Sequence, residues 1–338
     1  GLDGLTSIGG SLRISSNGAL QSLNGLQQIV WIVGSVSFSA NRSLTDLEDM
    51  GLINAVNGDL TISECNSLKD LGGLDSIRSV GGHLIIDENA ELNSFYGLQS
   101  LEHIAIDLLI QNNQRLSGLD GLIHLKEIGQ SLLIDNNPAL LDVRGLLSLQ
   151  ALGKNLQITN NASLLSIQGL GALQQMSGLM QFFNNPQLIE LAGLDSLDHT
   201  GILDLAILSS SQLSACQARS ICNYLKISSN SWSIRGNDEG CNSRVEVLKH
   251  CPGDGGNSTP PRRGKSVFVP NPTSGLLYVR GDTAVGDRFQ VIDMTGQKVM
   301  QGLVNEGLID LSNVSSGCYF VEYISMTEVK VEAIIKVE

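Results

Sequence analysis

Asp87 and Asp135 are the carboxylates whose placement invites a catalytic reading, because each closes a similar tetrapeptide, Leu84-Ile85-Ile86-Asp87 and Leu132-Leu133-Ile134-Asp135. Two carboxylates on nearby strands can cut a glycosidic bond, one as acid and the other as base or nucleophile. The tetrapeptides recur on a 24-residue step, which sets the two acids two strands apart. That is roughly 10 Å, slightly beyond the ~6.5–9.5 Å of an inverting pair. The gap is also too wide for a single cation, whose ligands lie about 2.0–2.6 Å away. The histidines (His83, His103, His124, His199 and His250) form no local cluster. Cys216, Cys222, Cys241 and Cys251 contain no CxxC pair, and His250 is the only imidazole nearby, so two disulfides are expected rather than a zinc site. Four cysteines allow three pairings, all of which remain open, and imply an oxidising destination. No GxSxG, HExxH, P-loop or GxGxxG pattern occurs. No metal, no cofactor and no catalysis are expected.

The element that positions these residues is a short strand repeated at a fixed step. Leu12-Arg13-Ile14 recurs in kind at Val36, Leu60, Leu84, Leu108, Leu132, Leu156 and Met180, each 24 residues after the last. Leu20, Leu44, Leu68, Leu92, Leu116, Leu140, Leu164 and Leu188 are all leucine, and two further columns are apolar throughout. Such a step makes each repeat one coil of a solenoid whose inward side chains stack on those of neighbouring coils. The apolar-polar-apolar tripeptides read as strands of a parallel sheet, with alternate residues inward. A coil interior of fixed cross-section takes Leu and Ile at every rung and rejects large rings, which accounts for an aromatic content of only 4%.

After each strand stands an asparagine: Asn17, Asn41, Asn89, Asn113, Asn137, Asn161 and Asn185, with Cys65 in the remaining slot. Stacked amides would supply donors and acceptors to buried turn backbone, and Cys65 reads as a substitute in that ladder. The whole pattern resembles leucine-rich-repeat solenoids, and more closely the receptor L-domain type, over about residues 1 to 210. Leu2, Leu5 and Ile8 already occupy the columns of Leu26, Ile29 and Ile32, so the chain starts inside a coil and a preceding segment is expected.

The outward strand positions are where a solenoid binds its partner. Ile85, Leu109 and Leu133 fall there on three successive rungs, rimmed by His83, Asp87, Asp107, Gln111 and Asp135. An apolar stripe with a polar rim is the expected face for a protein or glycan ligand; the alternative is that the stripe only strengthens the sheet or is covered by another part of the protein.

The 24-residue step decays after Ile202-Leu203-Asp204-Leu205. Helices are expected at 211–226 and 243–250, forming a cysteine-containing cap over 211–251. A Gly/Pro-rich linker follows at 252–265, and from Ser266 short alternating stretches separated by turns suggest an antiparallel β-sandwich. Here Pro270-Asn271-Pro272-Thr273-Ser274-Gly275, Asp293-Met294-Thr295-Gly296-Gln297-Lys298-Val299, Ile309-Asp310-Leu311-Ser312, Ser316-Gly317-Cys318-Tyr319-Phe320-Val321 and Lys336 stand in an order that closely resembles the type A sorting domain of the type IX secretion system of Bacteroidetes. The resemblance implies a partner in the type IX machinery, export across the outer membrane, removal of this domain near the linker, and often attachment of the remainder to surface lipopolysaccharide.

Composition agrees with an exported surface. The formal net charge is −13, of which −4 falls from Ser266 onward and −9 on the rest, arguing against nucleic acid and anionic membranes as partners. No apolar run is long enough for a membrane span. The expected fold is thus mainly β: a parallel β-solenoid of 24-residue leucine-rich coils with a helical disulfide cap, followed by an Ig-like antiparallel β-sandwich. The expected function is non-catalytic recognition or adhesion at the cell surface. The alternatives are a carbohydrate-active β-solenoid enzyme and a structural spacer for a missing N-terminal domain.

Overall fold

A computed structural model describes residues 2–252, 268–269, 276–279, 288–293, 298–304, 308–324 and 329–336. The chain divides into two compact units, Gly1–Gly256 and Asn257–Glu338.

In the first unit each repeat contributes one short strand to a ten-stranded parallel sheet, beginning with Leu12–Ser15, Val36–Ser39, Leu60–Ser63 and Leu84–Asp87. The register holds at 24 residues, so Leu84 pairs with Leu108 and Leu108 with Leu132. Shortly before the long strands in sequence, Ala55–Val56, Ser79–Val80, His103–Ile104, Glu127–Ile128 and Ala151–Leu152 form a second parallel sheet of two-residue strands. Between the sheets lies one continuous core, in which Leu44, Leu68, Leu92, Leu116, Leu140, Leu164 and Leu188 are fully buried. Each such leucine contributes about 1.5–3 kcal/mol by leaving water. Coils approach so closely that a Cβ added at Gly145 would collide with the carbonyl oxygen of Leu119. The same close approach of backbone accounts for the glycine preceding Leu74, Leu98, Leu122, Leu170 and Leu194, whereas a Cβ at Gly25, before Leu26, would meet no backbone, and that glycine is marked instead by its positive φ of 105°.

Buried asparagines close most of the turns that follow the strands. Asn89, Asn113, Asn137, Asn161 and Asn185 are wholly inaccessible, and each donates from Nδ2 to a carbonyl 27 residues earlier, as Asn137 does to Ile110 at 2.9 Å. Each Oδ1 of Asn89 to Asn185 accepts the backbone N–H of the residue 24 earlier. Cys65 occupies its slot with Sγ 3.7 Å from the Phe38 carbonyl oxygen, and burial pushes its thiol pKa up. Preceding each ladder residue is one with positive φ, from Ser16 through Asn112, Asn136, Asn160 and Asn184 to Ser209. Asparagine tolerates that left-handed conformation best after glycine, so the Asn-Asn dipeptides carry two separate duties.

The sheet does not end where the 24-residue step decays. Ile202–Leu208 and Ser231–Arg235 add its last two strands, and Leu205 pairs with Trp232. The amide ladder follows them: Ser210 Oγ accepts from Asn185 N–H, and Asn237 Oδ1 from Ser210 N–H. The helix expected over 211–226 is confined to Arg219–Lys226, because residues 211–215 continue the coil, with Ser214 N–H donating to the Ile189 carbonyl. Arg244–His250 is helical as expected, with Ser243 as its N-cap and Glu246 reaching back to the N–H groups of Gly240 and Asn242. Disulfides join Cys216 to Cys241 and Cys222 to Cys251, with Cα separations of 5.5 and 5.7 Å.

The second unit holds a three-stranded sheet (Phe268–Val269, Leu276–Val279, Leu308–Asp310) and a four-stranded one (Lys298–Leu303, Arg288–Asp293, Gly317–Ile324, Val329–Lys336). All their pairings are antiparallel. Leu277 and Ile309 from one sheet share a buried cluster with Val291, Val321 and Ile334 from the other.

Candidate functional site

The eight residues read as a recognition face lie on three neighbouring strands of the ten-stranded sheet or, for His83 and Asp107, immediately before them, all half-buried and on its outer side. Ile85, Leu109 and Leu133 are direct register partners, forming a continuous apolar column across three strands. In the next outward column Asp87, Gln111 and Asp135 are likewise register partners, with Gln111 between the two acids.

Several of the polar residues also hold the fold. Outward positions just before each strand form a second ladder: Ser11 Oγ accepts Ser35 N–H, Ser35 Oγ accepts Asp59 N–H, Asp59 Oδ1 accepts His83 N–H and Asp107 Oδ1 accepts Ser131 N–H. Asp107 Oδ2 stands 3.1 Å from His83 Nδ1, too poorly aligned for a hydrogen bond, so the two make a charge contact only when the ring is protonated. Asp87 Oδ1 accepts Asn112 Nδ2 at 2.8 Å, and Asp135 Oδ1 accepts Asn160 Nδ2 at 2.7 Å and Thr159 Oγ1. Each of these two carboxylates therefore begins a short outward amide ladder, continued by Asn136 on Asn112 and by Asn184 on Asn160. The sequence signal for these ladders was the Asn-Asn dipeptide at 112–113, 136–137, 160–161 and 184–185, of which only the second member enters the inward ladder.

No group of three His, Cys, Asp or Glu side chains among the described residues is arranged to hold a metal ion. No helix among them is long and apolar enough to cross a membrane. The four cap cysteines are brought together as the two disulfides. In the second unit Gly317 and Lys336, nineteen residues apart in sequence, are direct register partners at one end of a strand pair, and Lys336 is buried. Pro270, Asn271, Pro272, Gly275 and Gly296 lie outside the described residues.

Compared with known protein families, residues 267–337 match the secretion system C-terminal sorting domain. No curated protein matches the chain in sequence. The matched segment carries the strands of the second unit together with Gly317 and Lys336. A type IX sorting domain marks a chain for handling by the type IX secretion machinery, and so for secretion or cell-surface attachment.

Proposed function

We propose that the chain is an exported, non-catalytic recognition protein. Its first unit is a leucine-rich β-solenoid of receptor L-domain type that binds a protein or glycan on the outer face of the ten-stranded sheet. Its second unit is an Ig-like sandwich that serves export. The observation that carries the reading is the unbroken register of Ile85, Leu109 and Leu133. Three apolar side chains on a rigid outward face contribute nothing to the core beneath it, and a stripe of this kind with a polar rim suits a binding surface.

A hydrolytic role has less support. Asp87 and Asp135 are separated by Gln111, and each is tied by an asparagine amide that already occupies one carboxylate oxygen. An array of peptides and glycans probed with the full chain tests binding. Reducing-end release from a polysaccharide panel tests hydrolysis. The reading expects array signals and no release; release of reducing ends would overturn its non-catalytic part.

A further inference from the structure

The recognition face is chemically one-sided. Over residues 59–65, 83–89, 107–113 and 131–137 the strands and following turns carry Asp59, Glu64, Asp87, Glu88, Asp107 and Asp135, and no lysine or arginine. Among the described residues, the only Lys or Arg ion pair reaching this set is Arg42 to Glu64, at 4.0 Å and largely exposed. Asp59, Asp87 and Asp135 are held by neutral N–H or O–H donors, which fix the carboxylates in place without cancelling their charge.

The acids encircle the centre of the apolar column. Asp107 lies two residues before Leu109, immediately ahead of its strand, whereas Asp87 and Asp135 lie on the two flanking strands in register with Gln111, two residues after Leu109. Two residues along a strand span roughly 6.6 Å, so along the strand direction one carboxylate stands one such step before the leucine and two stand one step after it, on the flanking strands to either side of Gln111. An extended polypeptide presents same-face side chains at the same interval, since alternate residues point one way.

We propose, resting on the reading of this sheet face as the binding surface, that its ligand is an extended cationic polypeptide. Such a ligand has an apolar side chain set on Leu109, with lysine or arginine two residues to either side. Opposite charge at the rim steers encounter and fixes register, while the apolar column supplies the buried contact. Neutral glycans meet the apolar column but gain nothing from the ring of carboxylates, and acidic peptides are repelled by it.

The test is fluorescence anisotropy with the full chain and three labelled probes: the peptide Lys-Ser-Leu-Ser-Lys-Ser-Leu-Ser-Lys, its counterpart with glutamate in place of lysine, and dextran. Only the lysine peptide is expected to bind. The double variant Asp87→Asn, Asp135→Asn keeps an oxygen for Asn112 and Asn160; it is expected to weaken binding about tenfold or more, as is raising salt from about 50 to 500 mM. Leu109→Asn is expected to abolish binding while circular dichroism stays unchanged. Equal binding of both peptides, preference for dextran, indifference to the double variant, or no binding of the lysine peptide would each overturn the cationic ligand. If a bound probe of any charge is lost in Leu109→Asn, the sheet face stands as the binding surface. If binding survives that variant, the face itself is wrong.

Discussion

Asn137 binds Asn113 twice: its Oδ1 accepts the backbone N–H and the side-chain Nδ2 of Asn113, each at 3.1 Å. With Nδ2 of Asn137 donating to Ile110, a single side chain satisfies two backbone groups of the preceding repeat. Asn137→Ala would orphan at least two buried polar groups at about 1–3 kcal/mol each. Thermal or urea unfolding should therefore show a loss of roughly 2–6 kcal/mol, well beyond that of an exposed asparagine such as Asn136.

The Cys65 slot gives the reverse expectation. Its neighbours in the ladder are Asn41 and Asn89, and the thiol is a weak acceptor where every other inward rung has an amide or hydroxyl. Cys65→Asn should raise stability by about 1 kcal/mol, measured by urea midpoint. Because burial raises the thiol pKa, Cys65 should also resist alkylation by iodoacetamide at pH 8 in the folded chain and react once it is unfolded.

Contact between coils sets a third expectation. A methyl group at Gly145 has nowhere to go but into the Leu119 carbonyl, so Gly145→Ala should cost several kcal/mol and lower the melting temperature. Gly118→Ala, where a Cβ meets only the end of the Asp120 side chain in ordinary contact, is the matched control and should change little.

Much of this fold was legible before the structure. A column of identical residues at a constant step has few physical explanations, and the inward ladder followed from the need to pair buried turn backbone. Three features escaped. The tenth strand was hidden because helix Arg219–Lys226 is inserted before it, although Trp232-Ser233-Ile234-Arg235-Gly236-Asn237 repeats the spacing of Leu12-Arg13-Ile14-Ser15-Ser16-Asn17, with Gly236 at φ 72° in the left-handed place. Disulfide pairing depends on which coils the cap touches, which spacing alone does not encode. The structural engagement of Asp87, Asp107 and Asp135 was missed because their partners lie 24 or 25 residues away, on the neighbouring coil.

The cap yields a pH-dependent expectation. Hydrogen bonds from the N–H groups of Asn242 and Gly240 hold the Glu246 carboxyl below its ordinary pKa. A carboxyl with a lowered folded pKa adds stability above its unfolded value of about 4.3, and that stability is lost as pH falls through the folded value. Glu246→Gln should therefore lower the melting temperature at pH 7, with the gap to the parent protein closing below about pH 4. A gap independent of pH would mean that packing, not charge, holds this turn.

The central claim is that recognition lies on the outer face of the ten-stranded sheet. It is tested most directly by comparing array binding of the full chain with that of Leu109→Asp and of Leu147→Asp, the latter an exposed position on a turn away from that face. The account predicts that ligands bound by the parent chain are lost in Leu109→Asp and kept in Leu147→Asp, with both variants folded. Retention of binding in Leu109→Asp would contradict it.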